Sequence, residues 1–550
     1  MPSRDARPTT RRGRSLAVAL LTIGLAAGGC TAGAPDRDTE PTEEVTTTPE
    51  PPRAVAATVD GVVTLEQSDP AGLALGASET FFDEAPLVVL AEVASAPAEG
   101  LAHTLAGPLL LTGGTVDDEA VLAEIDRLGA VGLVVVADGS AEPTGEALPA
   151  GLADRLPDTT VATVDPADLA LPEGDDLTSG DLTGSDLESL ATSVRDAAPD
   201  LPDAGEPRLV SDLLVLWDGA PESSAALASA RAAGATPVET PGGDPRATTG
   251  TVEAVHAAGA GAVVGIGASF GSPDELAWRV GTAATGVELP GGGQLVLPGK
   301  SYVALYGSPV TPALGVLGEQ GVPETIARAQ RLAKQYTDLT DQPVVPTLEI
   351  IVTVASGSAG DDGNYSNEWP VETFLPLVDA AEEAGVYVVL DFQPGRTDFR
   401  TQVEEYAELV ARPHVGVALD PEWRLEPDEV HLRQIGSVGI DEVNDVVDYL
   451  ADLTRENDLP QKLLVLHQFR LSMITDRERL DTSRPELAVL IHADGQGGQQ
   501  AKTATWEALH RDAPDGVYWG WKNFYDEDTP MLTPEQTFRV RPVPDFVSYQ

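Results

Sequence analysis

Short apolar runs alternate with helix-like segments over most of the chain, and the pattern changes near residue 295. Before that point, strand, helix, strand, helix and strand occur twice in the same order. The strand-bearing segments are residues 87–90, 106–114 and 129–136 in the first copy, and residues 213–217, 234–243 and 259–267 in the second. Nearly continuous apolar strands are typical of parallel sheets covered by helices. The pattern therefore predicts two small parallel three-layer α/β modules, joined by an acidic connection over residues 172–203.

The second half of the chain predicts a different architecture. Its apolar strand candidates are residues 302–306, 348–354, 386–392, 415–420, 463–469, 488–493 and 517–521. Helical patterns separate most of them, at residues 323–336, 370–384, 397–410, 440–456 and 499–510. Strands and helices that alternate over about 250 residues favour a (β/α)₈-like barrel with one strand unrecognised. An open doubly wound sheet is the alternative.

The amino terminus has the pattern of an export signal. Five arginines between residues 4 and 14 precede an apolar run, residues 16–25, that is too short to cross a bilayer. Small residues then lead to Cys30, the only cysteine. This motif resembles a bacterial lipobox, which implies a signal peptide over residues 1–29 and a lipid on Cys30 that attaches the protein to the outer face of the membrane. The alternative is an ordinary secretory signal in which Cys30 has no role.

Composition divides the rest of the chain and narrows its partners. Residues 30–55 are rich in Thr, Pro and Glu, so we expect a disordered linker. The predicted folded parts are a first module over residues 56–204, a second over residues 205–290 and a barrel over residues 291–550. With 34 Lys and Arg against 88 Asp and Glu, the net charge is −54, which argues against nucleic acid and against electrostatic docking on anionic lipid. A single cysteine excludes disulfide frameworks and thiolate metal sites.

The first repeated copy carries a family resemblance. Residues 87–136, with the sequence AGPLLLT at residues 106–112, resemble the cell wall-binding repeat 2 family of Gram-positive surface proteins. The resemblance implies tandem α/β modules that hold exported proteins on wall polymers, and therefore a cell-wall polymer or other polysaccharide as partner. The alternative is a scaffold that no longer binds, because this region is strongly acidic and wall polymers are anionic. The glycine-rich loops lack nucleotide-binding spacing, and no cofactor is predicted.

Most strand candidates of the second half end in polar or aromatic residues. In a barrel of parallel strands these ends meet at one mouth, where the active sites of this fold lie. The candidate site residues are Glu349, Asp391, Asp420, Glu422, Trp423, His467, Gln468, His492, Asp494, Trp519, Trp521 and Lys522. Carboxylates suit proton transfer, and flat indole faces suit stacking on a sugar ring.

Asp420 and Glu422 are the pair of candidates that points most specifically to a reaction. Residues two apart on a strand share a face, so both carboxylates would enter one pocket, where one pKa is raised. Glycoside hydrolysis needs one protonated and one ionised carboxylate. Residues 415–422 resemble the end of the catalytic strand of chitinase-like barrels, and lysozyme-like barrels also end a strand in D-x-E. The resemblance implies that Glu422 is the general acid and Asp420 its partner; Asp391 is a third catalytic candidate.

Two other interpretations of these residues remain open at the level of sequence. In one, Asp420 caps a loop and Glu422 pairs with Arg424 on the surface. In the other, His467, His492 and Asp494 bind a metal ion, although lone histidines at strand ends are more often satisfied by hydrogen bonds, so no metal is predicted. The leading hypothesis is a lipid-anchored envelope protein whose barrel binds an envelope polysaccharide and, if it is an enzyme, hydrolyses it. The alternative is a non-enzymatic glycan-binding lipoprotein with an inactive barrel.

Overall fold

The computed structural model describes residues 50–112, 114–137, 155–171 and 182–550. The predicted signal peptide, Cys30 and nearly all of the predicted linker lie outside the described residues, as do residues 172–181 of the acidic connection. Residues 51–550 form one compact unit. Within the described ranges, no helix is long and apolar enough to cross a membrane.

The first half of this unit contains two parallel sheets of four strands each. Its strands are β1 (Val55–Ala56), β2 (Val62–Leu65), β3 (Phe82–Glu84), β4 (Leu87–Ala91), β5 (Leu109–Leu111), β6 (Gly132–Val136), β7 (Thr160–Val164), β8 (Leu213–Trp217), β9 (Val238–Glu239) and β10 (Ala262–Ile266). Its helices are α1 (Pro70–Phe81), α2 (Ala96–Leu105), α3 (Asp118–Arg127), α4 (Gly184–Ala197), α5 (Ser224–Ala232), α6 (Thr249–Ala258) and α7 (Pro273–Ala284). The strand orders are β5-β4-β6-β7 and β2-β10-β8-β9, which confirms the predicted parallel α/β class.

The two modules are linked by a strand that crosses between them. The strand β2 precedes the first sheet in the chain, yet it pairs in parallel with β10 of the second sheet, with Val62 opposite Val263. One apolar core contains Leu90 of β4 and Val215 of β8. The first sheet is therefore inserted, in chain order, within the second, and the modules share a core.

Short polar side chains and one glycine define the ends of the module helices. Asp69 Oδ1 accepts a hydrogen bond from Gly72 N at 2.9 Å at the start of α1. Thr183 caps α4 in the same way, and such caps satisfy N–H groups that have no partner within the helix. After α2, Gly107 lets the chain pass against the carbonyl oxygen of Leu87, which a Cβ atom at this position would overlap.

The second half is a closed barrel. Its strands are β11 (Ser301–Gly307), β12 (Val344–Ala355), β13 (Ser366–Glu368), β14 (Tyr387–Phe392), β15 (Val415–Leu419), β16 (Val438–Gly439), β17 (Lys462–His467), β18 (Ile474–Thr475), β19 (Leu487–Ala493), β20 (Tyr518–Asn523) and β21 (Phe546–Tyr549). Its helices are α8 (Val322–Ala333), α9 (Leu375–Glu383), α10 (Phe399–Glu405), α11 (Ala407–Val410), α12 (Ile440–Glu456), α13 (Gln499–His510) and α14 (Pro534–Thr537).

Eight of these strands pair in parallel around the barrel, in the order β11-β12-β14-β15-β17-β19-β20-β21. The strand β11 pairs with both β12 and β21, so the sheet closes on itself. The predicted (β/α)₈-like barrel is therefore confirmed, and the open-sheet alternative is wrong. The strand that the sequence pattern missed is β21, a short segment close to the carboxyl end of the chain.

The barrel interior changes from apolar to polar along the strands. Near the strand beginnings an apolar cluster fills it, with Tyr302, Val389, Val465 and Leu490 among its members. Because side chains alternate between the two faces of a strand, the residues two positions further on also face inward. At those positions the interior becomes polar, at the carboxyl ends of the strands.

Candidate active site

The polar layer of the barrel is a cluster of buried ionisable groups, which we call the acidic cluster. The members that lie on strands follow an apolar inward residue by two or four positions, so the pleat of the strands and their closure into a ring direct them inward. Asp420 and Asp494 come directly after β15 and β19, and Glu422 lies on the turn that follows β15. The acidic cluster consists of Tyr306, Glu349, Asp391, Asp420, Glu422, His467, Asp494 and Lys522.

His467 lies at the centre of the acidic cluster, between two carboxylates. Its Nδ1 is 2.9 Å from Asp494 Oδ2 and its Nε2 is 2.7 Å from Glu349 Oε1. Burial alone would lower the pKa of His467, but the Glu349 carboxylate and the hydrogen bond to Asp494 raise it well above the ordinary value. Burial likewise opposes ionisation of Asp494, yet the hydrogen bond from His467 holds the pKa of Asp494 below its ordinary value. His467 is therefore an imidazolium that donates both N–H groups.

Tyr306 and Lys522 lie beside Asp391. Tyr306 Oη donates a hydrogen bond to Asp391 Oδ2 at 2.8 Å, and Lys522 Nζ lies 3.4 Å from the centroid of the Tyr306 ring. Burial is the main cause that raises the pKa of Asp391 to about 6, in spite of the nearby positive charge of His467. Asp391 therefore holds its proton more tightly than an exposed aspartate, but is mostly ionised at neutral pH.

Asp420 and Glu422 are close together, but not for the predicted reason. The strand ends at Leu419, and Pro421–Trp423 forms a 3₁₀ turn, so the two carboxylates do not share a strand face. Burial, followed by the charge of Glu422, raises the pKa of Asp420 well above its ordinary value. Burial, followed by the charge of Asp494, raises the pKa of Glu422 to about 7. Asp420 is buried, whereas Glu422 is partly exposed.

His492 lies next to the acidic cluster as a neutral group. Its ring centroid is 5.0 Å from that of His467, and its Nε2 is 3.1 Å from Ser548 Oγ. Burial and the positive charges of His467 and Lys522 lower the pKa of His492 well below its ordinary value. Gly520, which faces it from β20, leaves room for the ring, since a Cβ there would lie 2.5 Å from His492 Cδ2.

The metal-binding interpretation finds no support in this geometry. Both ring nitrogens of His467 already form hydrogen bonds with carboxylates, so neither nitrogen is available to coordinate a metal ion. Over the part of the chain that the structure describes, no group of three or more His, Cys, Asp or Glu side chains could hold a metal ion.

Other candidates lie away from the acidic cluster. Trp519 and Trp521 pack against Trp506 of α13, with ring centroids 5.8 and 5.6 Å from it, because Gly520 and Lys522 take the inward positions of β20. Gln468 follows the inward His467 and accepts a hydrogen bond from Arg477 Nη1 at 2.8 Å.

The interpretation in which Glu422 pairs with Arg424 on the surface is wrong. Arg424 Nε donates to Glu442 Oε1 at 2.9 Å, so the guanidinium pairs with α12 and not with Glu422 as that interpretation required. The ring of Trp423 lies beside His431, with centroids 5.5 Å apart.

Two residues of the barrel mouth were not predicted from the sequence. Tyr306 is the last aromatic residue of a recognised strand and could have been found by strand alternation, whereas Ser548 lies on the missed strand.

A second feature of the described residues is a cavity of about 730 Å³ between the modules. It lies between α2, α4 and the segment after α5, and its lining includes His103, Arg195 and Arg231. Burial, followed by the charge of Arg231, lowers the pKa of His103. The residues that line this cavity belong to the modules, and no member of the acidic cluster is among them.

Comparison with known proteins adds little to this geometry. No protein-family model matches the chain, and no curated protein matches it. Among solved structures, Cwp6 from Clostridium difficile is similar, at 12% sequence identity and a TM-score of 0.30. The match covers 61% of this chain and 63% of that chain, so less than two thirds of the length of Cwp6 is spanned. The function is therefore inferred from the site itself.

Proposed function

We propose that the barrel binds and hydrolyses a polysaccharide of the cell envelope, with Glu422 as the general acid. The observation that supports this most is the position of Glu422, which is partly exposed and lies near the buried Asp494 and Asp391. Burial, followed by the charge of Asp494, raises the pKa of Glu422 to about 7. A carboxyl group that keeps its proton near neutral pH can protonate the oxygen of a glycosidic bond. Its partial exposure makes it the acid that a polymer reaches first.

Asp391 is the better candidate for the ionised partner. Its pKa of about 6 leaves it mostly deprotonated at neutral pH, whereas burial and the charge of Glu422 raise the pKa of Asp420 well above the ordinary value, so Asp420 holds its proton more tightly than an exposed aspartate. An ionised carboxylate can stabilise, or attack, the sugar carbon on which positive charge develops. The hydrogen bond from Tyr306 would fix the orientation of Asp391. In this proposal Asp420 adjusts the proton affinity of its neighbours and takes no direct part.

The cellular location belongs to the same proposal. The signal-like amino terminus and Cys30 support export followed by lipid attachment to the outer face of the membrane. The two α/β modules support retention on a wall polymer, which would raise the local concentration of polysaccharide near the barrel.

The proposal is tested with the chain from residue 31 onwards, purified in solution. It is incubated with peptidoglycan, chitin oligomers, and α- and β-glucans, and new reducing ends are measured. We expect release from one of these glycans and a loss of about 10²- to 10⁴-fold in the Glu422→Gln variant. The matched control is Glu426→Gln, which removes the same charge from an exposed position of the following loop. Release that is equal in Glu422→Gln and the control would remove Glu422 from the role of acid.

One observation favours non-enzymatic glycan binding as a second candidate. Glu349, Asp391 and His467 are fully buried, so a polymer meets only the rim of the acidic cluster unless the mouth opens. Retention of the chain on an insoluble glycan without any release of reducing ends would favour this candidate over hydrolysis.

A further inference from the structure

The acidic cluster has an excess of carboxylates over cations. Five carboxyl groups, those of Glu349, Asp391, Asp420, Glu422 and Asp494, interact electrostatically with the cations His467 and Lys522. Lys502 also interacts with Asp494, but its ammonium is paired with Asp528 at 2.9 Å. When Asp420 keeps its proton, the other four acids still outnumber His467 and Lys522. His492, a further basic group nearby, is held neutral mainly by burial, which lowers its pKa well below the ordinary value. A site of this composition attracts positive charge.

Several carboxylate oxygens of the cluster also lack a hydrogen-bond donor. Among the residues that the structure describes, the buried oxygens without a partner include Glu349 Oε2, Asp391 Oδ1, Asp420 Oδ1 and Asp494 Oδ1. His467 uses both of its N–H groups on Glu349 and Asp494, and Tyr306 donates to Asp391, so these donors do not reach the remaining oxygens. Buried acceptors without partners are costly, so their presence in a cluster marks a place where a ligand supplies donors.

The same site already accommodates an ammonium group. Lys522 Nζ lies 3.4 Å from the centroid of the Tyr306 ring, within the field of the neighbouring acids. An aromatic face combined with carboxylates is a favourable environment for a second ammonium as well.

We infer that the polysaccharide taken by the barrel contains amino sugars with free, protonated amines. This inference rests on the proposed function and names its substrate class. An ammonium group supplies three N–H donors and a positive charge to the carboxylates without partners, whereas an N-acetylated sugar supplies one amide N–H and no charge at that position. A neutral glucan supplies only hydroxyl groups. Binding of the amine also offsets the mutual repulsion of the acids.

The test measures binding by titration calorimetry near neutral pH, with the chain from residue 31 onwards. The probes are oligomers of glucosamine, of N-acetylglucosamine and of glucose, all of equal length. One charge-assisted hydrogen bond corresponds to about tenfold in affinity, so the glucosamine oligomer is expected to bind at least about tenfold more tightly. The difference should shrink as the salt concentration rises. Release of reducing ends is followed for the same probes.

The outcomes separate the two proposals. If the acetylated or the neutral oligomer binds as tightly as the amine, or is the one cleaved, the amino-sugar inference is overturned while the proposed function stands. If no oligomer is bound or cleaved, the amino-sugar inference is overturned, and the release of reducing ends from the polymers named above decides the proposed function separately.

A variant series localises the effect. Asp391→Asn, which removes one charge, is expected to reduce the preference for the amine about tenfold, whereas Glu507→Gln on the exposed face of α13 should leave it unchanged. Equal loss in both variants would place the preference in the overall charge of the protein and overturn the site assignment. The salt series on the unmodified chain decides the question independently if Asp391→Asn does not fold.

Discussion

The α/β modules and the barrel are both built from parallel strands, but they differ in how completely their buried carboxylates are hydrogen-bonded. In the first module, Glu124 is buried and fully paired, since Ser78 and Arg127 both donate to its carboxylate. In the acidic cluster of the barrel, four carboxyl groups each keep a buried oxygen without a partner. An open sheet has helices on both faces and no interior of its own, whereas a closed barrel has an interior in which polar strand ends meet. The comparison indicates that the buried carboxylate of the first module is paired for stability, whereas the barrel carries unpaired carboxylates, which cost stability, at the candidate site.

The largest expected effect comes from removing the imidazolium at the centre of the barrel. His467→Ala leaves the buried carboxylates of Glu349 and Asp494 without their common donor. We expect a loss of about 3–5 kcal/mol in the free energy of unfolding, because an uncompensated buried charge remains. The measurement is urea denaturation followed by tryptophan fluorescence.

His510→Ala is the control for that prediction. Its ring stacks on Trp519 on the outer side of the barrel, with centroids 3.5 Å apart, and its Nδ1 is 2.7 Å from the carbonyl oxygen of Trp506. We expect a loss of only about 1 kcal/mol. If the two histidine variants were equally destabilised, the contrast between a charged barrel interior and an ordinary exterior would be lost.

A steric change in the first module should act by packing alone. Gly107→Ala places a Cβ against the carbonyl oxygen of Leu87, which is backbone and cannot move freely. The expected loss is about 1–3 kcal/mol, with no change in the hydrolysis or binding of glycan by the barrel. Gly184→Ala at the start of α4 is the control, since a Cβ there meets no atom within 4 Å. Unchanged thermal stability of Gly107→Ala would contradict the close approach.

The pH dependence of stability should have opposite signs in the two regions. The pKa of Glu422 rises from 4.5 to about 7 on folding, so the folded state holds this proton more tightly between those values. Its contribution to the free energy of unfolding is therefore present below about pH 4.5 and is lost as the pH rises through 7. Glu422→Gln has no proton to lose and should be more stable than the unmodified chain at neutral pH, by on the order of 1 kcal/mol.

Asp244 of the second module provides the reverse case. Burial opposes its ionisation, but Arg246 donates to both of its oxygens, at 3.0 and 2.8 Å, and the pKa of Asp244 is lowered. This contribution is present above the ordinary pKa of 3.8 and is lost as the pH falls below it. Asp244→Asn should therefore be less stable at neutral pH and converge with the unmodified chain in acid. Thermal unfolding of both variants across pH checks both signs, and a shared sign would contradict the comparison.

The pattern of apolar residues was sufficient to predict the fold class because the strands of both halves are buried. Strands such as β4 and β15 are buried along their whole length, and continuous apolar runs show this directly. The pattern missed β21 because its four residues, with a serine among them, are too few to form an apolar run. It also did not indicate that β2 joins the second sheet, since pairing between distant strands is not encoded by local periodicity.

The site was predictable only as far as strand alternation was applied. Asp391, His467 and Lys522 were named from strand ends, and Glu349 was named from the beginning of a predicted strand; all four meet in the acidic cluster. Trp519 and Trp521 were named from a strand end and for their flat faces, but the alternation that brings Lys522 inward directs both indoles outward. The unpaired carboxylate oxygens could not be foreseen, because they depend on which donors reach across the ring from other strands.

The smallest expected effect tests this outward placement. Trp519→Phe keeps an aromatic ring against Trp506 and removes only part of a half-buried side chain, so the free energy of unfolding should fall by less than about 1 kcal/mol. Its affinity for glycan should equal that of the unmodified chain, because the indole lies between β20 and α13 and not at the acidic cluster. Glycan titration of Trp519→Phe beside Asp391→Asn measures this directly. If Trp519→Phe alone bound glycan more weakly, the sugar would bind on the outer face of the barrel. The acidic cluster would then be a destabilising part of the core that binds no ligand.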